Sequence, residues 1–153
     1  MKHAITLLCL VTVLAASPLA AQVRDETILT FDVIQTERKA LVMEALDLTP
    51  TQIKAVSPVY DAYLAELDAL EAQEVELIKR VLASYKGMSD DQAAVMLVEW
   101  GAQNQVRLDL RKYYTREFAE VLPARKVLRL WQIENKLDTI IDAQLTKDIP
   151  LAQ

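Results

Sequence analysis

Residues 49–92 of this 153-residue chain, TPTQIKAVSPVYDAYLAELDALEAQEVELIKRVLASYKGMSDDQ, contain two copies of one four-residue pattern. The copies are Thr49-Pro50-Thr51-Gln52 and Ser89-Asp90-Asp91-Gln92. A Ser or Thr followed three residues later by Gln forms a capping box, in which each side chain accepts a hydrogen bond from the other residue's backbone N–H. Proline is favoured at the first position of a helix. The two patterns therefore predict helices that begin at Pro50 and directly after Ser89.

Between these two starts, apolar residues recur at alternating spacings of three and four. The stripe is Ile53, Val56, Tyr60, Tyr63, Leu67, Leu70, Leu77 and Val81, with Glu74 and Ser84 in the same register. Such spacing is typical of helices that pack along their length. The sequence thus predicts a helix over residues 50–86, with Gly87 as its terminator and Pro58 as a candidate position for a kink or an early break.

Three further helices are predicted from the same kind of evidence. The first covers residues 25–46 and ends at Asp47-Leu48, the third runs from the second capping box to Val121, and the fourth covers residues 124–146 after Leu122-Pro123. The chain is rich in strong helix formers and has two glycines, and no alternating apolar pattern indicates a sheet. These features predict an all-α protein.

The lengths of the two central helices also predict a shape. At about 1.5 Å per residue they would span roughly 55 and 48 Å, whereas a compact domain of this size has a radius of gyration of about 14 Å. Lys86-Gly87-Met88-Ser89 is all that connects them. We therefore expect an elongated four-helix protein built on a long antiparallel helical hairpin, and a homodimer that buries the remaining apolar surface.

The first 21 residues have the composition of a secretory signal peptide. Lys2 and His3 provide a positive start, residues 4–16 are mostly apolar, and small residues precede Gln22. The apolar stretch is too short to cross a bilayer of about 30 Å as a helix. We expect cleavage near Ala21, export, and a single all-helical domain over residues 22–153.

Loss of this segment would remove His3 and Cys9, which are the only histidine and cysteine in the chain. Zinc sites, haem attachment and Ser-His-Asp catalysis would then lack their ligands or base. With two glycines the chain has no phosphate-binding loop, and its net charge of −5 disfavours nucleic acid as a partner. We therefore expect no enzymatic activity and no cofactor. Glu71 and Glu74 share a helical face and could hold Ca²⁺ or Mg²⁺ or act as catalytic acids, but a solvated acidic face is the simpler interpretation.

Charge is unevenly distributed along the predicted hairpin. Residues 61–78 contain six acidic residues and no basic one, whereas residues 107–136 contain eight basic residues and four acidic ones. The first interpretation is that these stretches face each other and set the register of the hairpin. Folding about Gly87 and Met88 would place Asp68 opposite Arg107, Glu71 opposite Asn104, and Glu74 beside residues 101–104. The alternative is that Arg107, Arg111 and Arg116 line a surface for an acidic partner.

Six aromatic residues lie at helical spacing and are expected mostly in the core or in a helix–helix seam. They are Tyr60, Tyr63, Trp100, Tyr113, Tyr114 and Trp131. The alternative for Trp100 and Tyr113 is an exposed apolar patch that binds a partner. Gly101, in the middle of a helix, is expected to permit a close helix approach or a local bend.

The residues Leu48-Thr49-Pro50-Thr51-Gln52 match the Leu-Thr-x-x-Gln (LTXXQ) signature of the Spy/CpxP-like periplasmic chaperone family, which the chain resembles. The expected signal peptide, the four helices and the long hairpin are further points of similarity. Members of that family carry a second copy of the signature before the last helix. In this chain the corresponding place, Val121-Leu122-Pro123-Ala124-Arg125, keeps the Leu and Pro and lacks the Thr and Gln.

The resemblance implies a curved periplasmic dimer whose concave face binds unfolded or partly folded envelope proteins without ATP. That face is basic with apolar patches in the family, so its basic part would come from residues 107–136 here. We therefore expect an ATP-independent chaperone or envelope-stress adaptor, without stable membrane insertion. A structural module that docks one specific envelope protein is the alternative, and a carboxylate-based hydrolase is a more distant one.

Overall fold

The computed structural model describes residues 31–146 together with positions 149 and 151. It contains four helices: α1 (Phe31–Ala45), α2 (Pro50–Ser84), α3 (Asp90–Val121) and α4 (Ala124–Thr146). No strand occurs among the described residues, so the all-α prediction is confirmed. The predicted signal peptide and the predicted start of the first helix, at residues 25–30, lie outside the described residues. Within them, no helix is both long and apolar enough to span a membrane.

Both capping boxes are present at the positions that the sequence indicates. The backbone N–H of Thr49 donates to Gln52 Oε1 at 3.0 Å, and the backbone N–H of Gln52 donates to Thr49 Oγ1 at 3.3 Å. The Ser89 and Gln92 pair repeats this arrangement at 3.0 and 3.2 Å. These local bonds set the starts of α2 and α3, and α2 continues as one helix through Pro58.

The helix ends agree less well with the sequence-based expectations. Asp47 ends α1 in the left-handed conformation at φ 51°, a conformation that short polar side chains tolerate. The prediction that Gly87 ends α2 is wrong, because α2 ends at Ser84 and Gly87 has no positive φ. The backbone N–H of Gly87 instead donates to the Ser84 carbonyl at 3.0 Å, within a turn that does not need glycine.

The four helices pair in a simple order. α2 and α3 pack along each other as the antiparallel hairpin, α1 packs against α4, and α4 also packs against α3. The core lies where the four helices meet, and its aromatic centre is Tyr63, which contacts Tyr114, Phe118 and Trp131 edge-on at centroid distances of 5.4, 6.2 and 5.6 Å. Edge-on ring contacts of this kind add stability beyond the buried area.

The hairpin is longer than the helices that cover it. α2 has 35 residues and α4 has 23, which correspond to about 52 and 35 Å. Hydrogen bonds and ion pairs from α1 and α4 contact the hairpin at Glu71 of α2 and at Arg111 of α3. We call α1, α4 and hairpin residues 50–71 and 107–121 the base, and we call residues 75–106 the arm.

The register of the hairpin corrects the predicted pairs. Arg107 donates to Glu74, with Nη2 to Oε2 at 2.6 Å, so the prediction that Arg107 pairs with Asp68 is wrong. Asp68 is exposed, and Glu71 lies 3.8 Å from Arg38 of α1 instead of pairing with Asn104. The acidic stretch of α2 and the basic stretch of α3 do contact each other across the hairpin, through the Glu74–Arg107 pair.

The direction of helical side chains explains this shift. The Cα–Cβ bonds of a helix tilt toward its N-terminus. The N-terminus of α2 lies far from the turn and that of α3 lies at it, so side chains from the two helices lean in opposite directions along the hairpin. A residue of α2 therefore contacts a residue of α3 that lies several positions farther from the turn than counting back from Gly87 suggests.

Candidate functional site

The most unusual surface of the described chain is the apolar surface of α3. Seven of its large apolar side chains are exposed: Val95, Leu97, Val98, Trp100, Val106, Leu108 and Tyr113. Val98 reaches 74 % exposure. Along this fully described helix the buried residues are Tyr114 and Phe118, and both belong to the base. Exposed apolar surface of this extent is typical of interaction sites.

The aromatic residues divide between the two interpretations. Tyr60, Tyr63 and Tyr114 are buried in the base, with the half-buried Trp131 beside them. Trp100 and Tyr113 are 57 % and 46 % exposed, which places them on the surface, as the binding-patch alternative requires.

Gly101 does not have the packing role expected for it. A Cβ atom added to Gly101 would meet nothing within 4 Å, so a close helix approach is not the reason for glycine at this position. Because the position is open, Gly101 extends the uncovered surface beside Trp100.

Part of the exposed apolar surface continues the face of the hairpin that α1 and α4 cover in the base. On α2, Glu71 lies 3.8 Å from Arg38, and residues four, seven and eleven positions later occupy the same side of the helix. On α3, Arg111 donates to Asn135 of α4 at 2.5 Å, and residues three, eleven and fourteen positions earlier follow the same side. We call this set the inner face of the arm: Val75, Ile78, Leu82, Leu97, Trp100 and Leu108.

A second apolar stripe follows a different side of α3. Its members are Val95, Val98, Val106 and Tyr113, which we call the outer stripe. Their spacings of three, eight and seven residues keep them on one side of the helix. The arm therefore has two exposed apolar surfaces, the inner face and the outer stripe. Its polar contacts join α3 to α2.

Polar contacts between α2 and α3 hold the arm together. Arg80 pairs with Glu99, with Nη1 to Oε1 at 3.2 Å, and Gln103 Nε2 donates to the Gln73 carbonyl at 3.2 Å. The hydrogen bond from Arg80 lowers the pKa of Glu99. Two open depressions also lie on the arm, one at the turn beside Tyr85 and one between the Arg80–Glu99 pair and Gln103.

The three arginines expected to line a basic surface have different environments. Arg107 is paired with Glu74 and is about one-third exposed. Arg111 lies over the ring of Trp131, with 4.9 Å from its guanidinium carbon to the centroid. Arg116 is exposed. Two of the three thus serve contacts within the fold, and of these Arg107 pairs across the hairpin whereas Arg111 contacts α4.

The base contains a buried ion network that the sequence analysis missed. Glu134 is fully buried and accepts hydrogen bonds from Arg38 Nε at 3.1 Å and from Tyr60 Oη at 2.5 Å. Arg38 also donates from Nη2 to Asp138 Oδ1 at 2.5 Å. Burial raises the pKa of Tyr60, and the Glu134 carboxylate adds to that rise, so Tyr60 remains a protonated donor. This network ties α1, α2 and α4 together.

Two basic residues of α4 hold the end of α1 in the same region. Lys126 Nζ donates to the carbonyls of Leu46 and Asp47 at 2.6 and 2.7 Å, and Arg129 Nε donates to the Ala45 carbonyl at 2.8 Å. The last carbonyls of a helix lack partners within it and carry partial negative charge. These contacts therefore fix α1 on α4.

One sequence feature could have revealed the network. Glu134 occupies the same stripe of α4 as Val127, Leu130, Leu137 and Ile141, all of which are buried. A carboxylate in an otherwise apolar stripe requires a buried partner, because an unpaired buried charge is costly. The identity of that partner could not be found in this way, since Arg38 is 96 positions away.

The carboxylates considered for metal binding or catalysis both face arginines. Glu74 pairs with Arg107, and Glu71 lies near Arg38. No group of three or more potential metal ligands occurs among the described residues. These two acids thus have structural partners that account for their positions.

Comparisons with known proteins give no match, so a proposal about function rests on the fold and on the exposed surface. No protein-family model matches the chain, and no curated protein or solved structure matches it at a significant level.

Proposed function

We propose that the chain is a non-enzymatic periplasmic protein that binds apolar segments of other polypeptides, as an ATP-independent chaperone or envelope-stress adaptor. The observation that carries this proposal is the concentration of exposed apolar side chains on the arm, beside a well-packed base. Apolar attraction is non-directional and proportional to the area removed from water, at about 25 cal/mol per Å². A surface of this kind binds many unrelated apolar segments without requiring one shape.

The two positions that the resemblance to the Spy/CpxP-like family singles out both lie at junctions between helices. The first forms the start of α2 at Thr49, and the second lies at the α3–α4 junction around Leu122. Lys126, directly after the second position, donates to the Leu46 and Asp47 carbonyls, directly before the first. The two junctions are therefore neighbours in space.

An aggregation assay with unrelated denatured proteins and no nucleotide tests the proposal. The chain should suppress aggregation of several clients at near-stoichiometric ratio, and failure on every client would overturn the chaperone function. Leu97 and Leu128 offer a matched pair of variants, since they are 62 % and 61 % exposed and lie on the arm and the base. Leu97→Ser should weaken the suppression of client aggregation, whereas Leu128→Ser should leave it unchanged. Both variants should have the same thermal stability.

The adaptor alternative is supported by the Arg80–Glu99 pair between the arm helices, which gives the apolar arm a polar edge that one specific partner would contact. A photo-crosslinker at Leu97, on the inner face and introduced into the exported chain, distinguishes the two functions in envelope extracts. Many cross-linked proteins would support a chaperone. One dominant partner would support an adaptor that docks a specific envelope protein.

The outer stripe supports a homodimer as a further part of this proposal. Pairing of two outer stripes would bury Val98 and Tyr113 and leave both inner faces available for clients. Sedimentation at several concentrations should give a dimer, and Val98→Asp should shift it to the monomer. A monomer at all concentrations would contradict this arrangement.

A further inference from the structure

The contacts of α4 show the direction in which it runs along the hairpin. The ring centroids of Trp131 and Phe118 lie 5.9 Å apart. Seven residues later on α4, Asp138 Oδ2 lies 3.9 Å from Nη2 of Arg111, which is seven residues earlier on α3. α4 is therefore antiparallel to α3 and runs from the base toward the arm.

The last turn of α4 reaches the boundary between the base and the arm. Asp142 interacts electrostatically with Arg107 of α3 and with Glu74 of α2, which pair with each other at that boundary. α4 ends at Thr146, four residues later. The same progression along the hairpin carries the residues after Thr146 over the inner face of the arm.

These residues, 147–153, have the sequence Lys-Asp-Ile-Pro-Leu-Ala-Gln, and we call them the tail. Ile149 and Leu151 flank Pro150, and a proline biases the residue before it toward an extended conformation. Side chains two positions apart in an extended chain lie on the same side. The one lysine and the one aspartate cancel, so the tail can present two apolar side chains together without net charge.

The two apolar side chains of the tail differ in burial. Ile149 is partly buried, whereas Leu151 is 88 % exposed, the highest value among the large apolar side chains that the structure describes. The part of the inner face near the turn is also exposed, since Leu82, Leu97 and Trp100 are between 38 and 62 % exposed. Contact between Leu151 and this surface would remove apolar area on both sides from water.

The tail is long enough to make that contact. Leu97 lies ten residues, or about 15 Å, beyond Arg107 along α3, and the last turn of α4 covers about 6 Å of that distance. The five residues from Thr146 to Leu151 span at most about 17 Å. A group held by so short a tether has an effective concentration in the millimolar range, so even a weak contact is populated.

We propose that the tail folds back onto the arm of its own chain and places Leu151 against Leu82, Leu97 and Trp100. It acts as a strap over the inner face that an apolar polypeptide has to displace. This docking goes beyond the proposed function and is a property of the chain alone, whereas its effect on clients rests on the proposed function. The tail of a second copy competes only at the concentration of free protein, which is lower than that of a tethered group.

Disulfide trapping tests where the tail docks. In a Cys9→Ser background the chain has no cysteine. Leu151→Cys is combined with Leu97→Cys on the inner face or, as the matched control, with Val98→Cys on the outer stripe. Mild oxidation should form the disulfide within one chain at least about fivefold faster with Leu97→Cys. Equal rates would overturn the docking, and disulfides formed mainly between chains would assign the inner face to a second copy.

Removal of the tail tests its effect on binding. A stop codon after Thr146 should tighten the binding of labelled casein, a permanently unfolded client, by about threefold to tenfold. Leu151→Ser should act in the same direction, whereas Leu128→Ser removes an exposed leucine of the base and should change nothing. A labelled peptide with the tail sequence should bind the truncated chain more tightly than the full chain, as measured by fluorescence anisotropy.

The two experiments separate the failure of the strap from the failure of the proposed function. A disulfide specific to Leu97→Cys, with no casein binding by either form of the chain, would leave the docking standing and overturn the proposed function. Equal disulfide rates, with equal casein binding by the full and truncated chains, would overturn the strap and leave the proposed function standing. A specific disulfide with equal casein binding would show that the tail docks without blocking clients.

Discussion

The base and the arm share the helices α2 and α3, yet these helices bury different amounts of apolar surface in the two regions. In the base, Tyr60, Tyr63 and Leu67 are at most 4 % exposed, and in the arm Leu97 and Val98 are 62 % and 74 % exposed. The apolar stripe of α2 keeps its alternating spacing of three and four residues in both regions. The difference arises because α1 and α4 cover a second side of the hairpin in the base, whereas the hydrogen bonds described for the arm join its two helices to each other.

Truncation of the same residue type in the two regions gives the largest expected contrast. Leu67→Ala in the base should lower the free energy of unfolding by about 3 kcal/mol, because it leaves a cavity in a packed core. Leu97→Ala in the arm should change it by less than about 0.5 kcal/mol, as for most exposed positions. Urea denaturation measures both, and similar losses would show that the arm is as tightly packed as the base.

Removal of the buried carboxylate should be nearly as damaging to the base. Glu134→Gln should cost about 3 kcal/mol, since it leaves Arg38 enclosed with weaker compensation from Asp138 and Glu71. The double change Arg38→Met with Glu134→Leu should recover much of that loss, because it removes both charges. Peptide binding to the arm should persist in any variant that still folds. A double variant less stable than Glu134→Gln would mean that the network stabilises the fold through more than charge balance.

A charge exchange sharpens the boundary between base and arm. Arg107→Glu should cost about 1 kcal/mol, because its pair with Glu74 is partly exposed and screened by solvent. Adding Glu74→Arg should restore most of the loss, whereas adding Asp68→Lys should not. Thermal unfolding of the three variants measures this, and rescue by Asp68→Lys would contradict the register described above.

The smallest expected effect is a dependence on pH at the base end of the inner face. Glu71 and Asp142 have raised pKa values, so the folded chain holds their protons more tightly than the unfolded chain does. Their contribution to stability is present below the ordinary carboxyl pKa of about 4 and is lost as the pH rises through the raised values. Asp142→Asn should flatten this part of the dependence of stability on pH, as measured by urea denaturation. The control substitution Glu120→Gln, at an exposed acid, should not flatten it.

Much of the secondary structure could be predicted because its causes are local. Each capping box joins two residues three positions apart, Thr49 with Gln52 and Ser89 with Gln92. Their hydrogen bonds are local and do not depend on how the helices pack. The end of α2 was harder to predict, because Ser84 and Gly87 form an ordinary turn in which the glycine needs no special conformation.

The candidate site was predicted in part. Trp100 and Tyr113 were recognised as candidates for an exposed patch, but spacing alone could not separate them from core aromatics such as Tyr63. Exposure depends on whether a third helix covers a position, and helical periodicity carries no information about that. The partner of Arg107 also depended on the direction in which side chains lean across the hairpin.

The amino-acid sequence by itself determined where α2 and α3 begin, that the class is all-α, and that two long helices form a hairpin. These properties follow from capping, helix propensity and apolar spacing, which act over a few residues. Only the tertiary structure decided which part of the hairpin is covered and that Arg38 and Glu134 meet in the base. Those properties depend on contacts between residues far apart in the chain, such as Arg38 and Glu134, whose burial and charge exist only after the helices have packed.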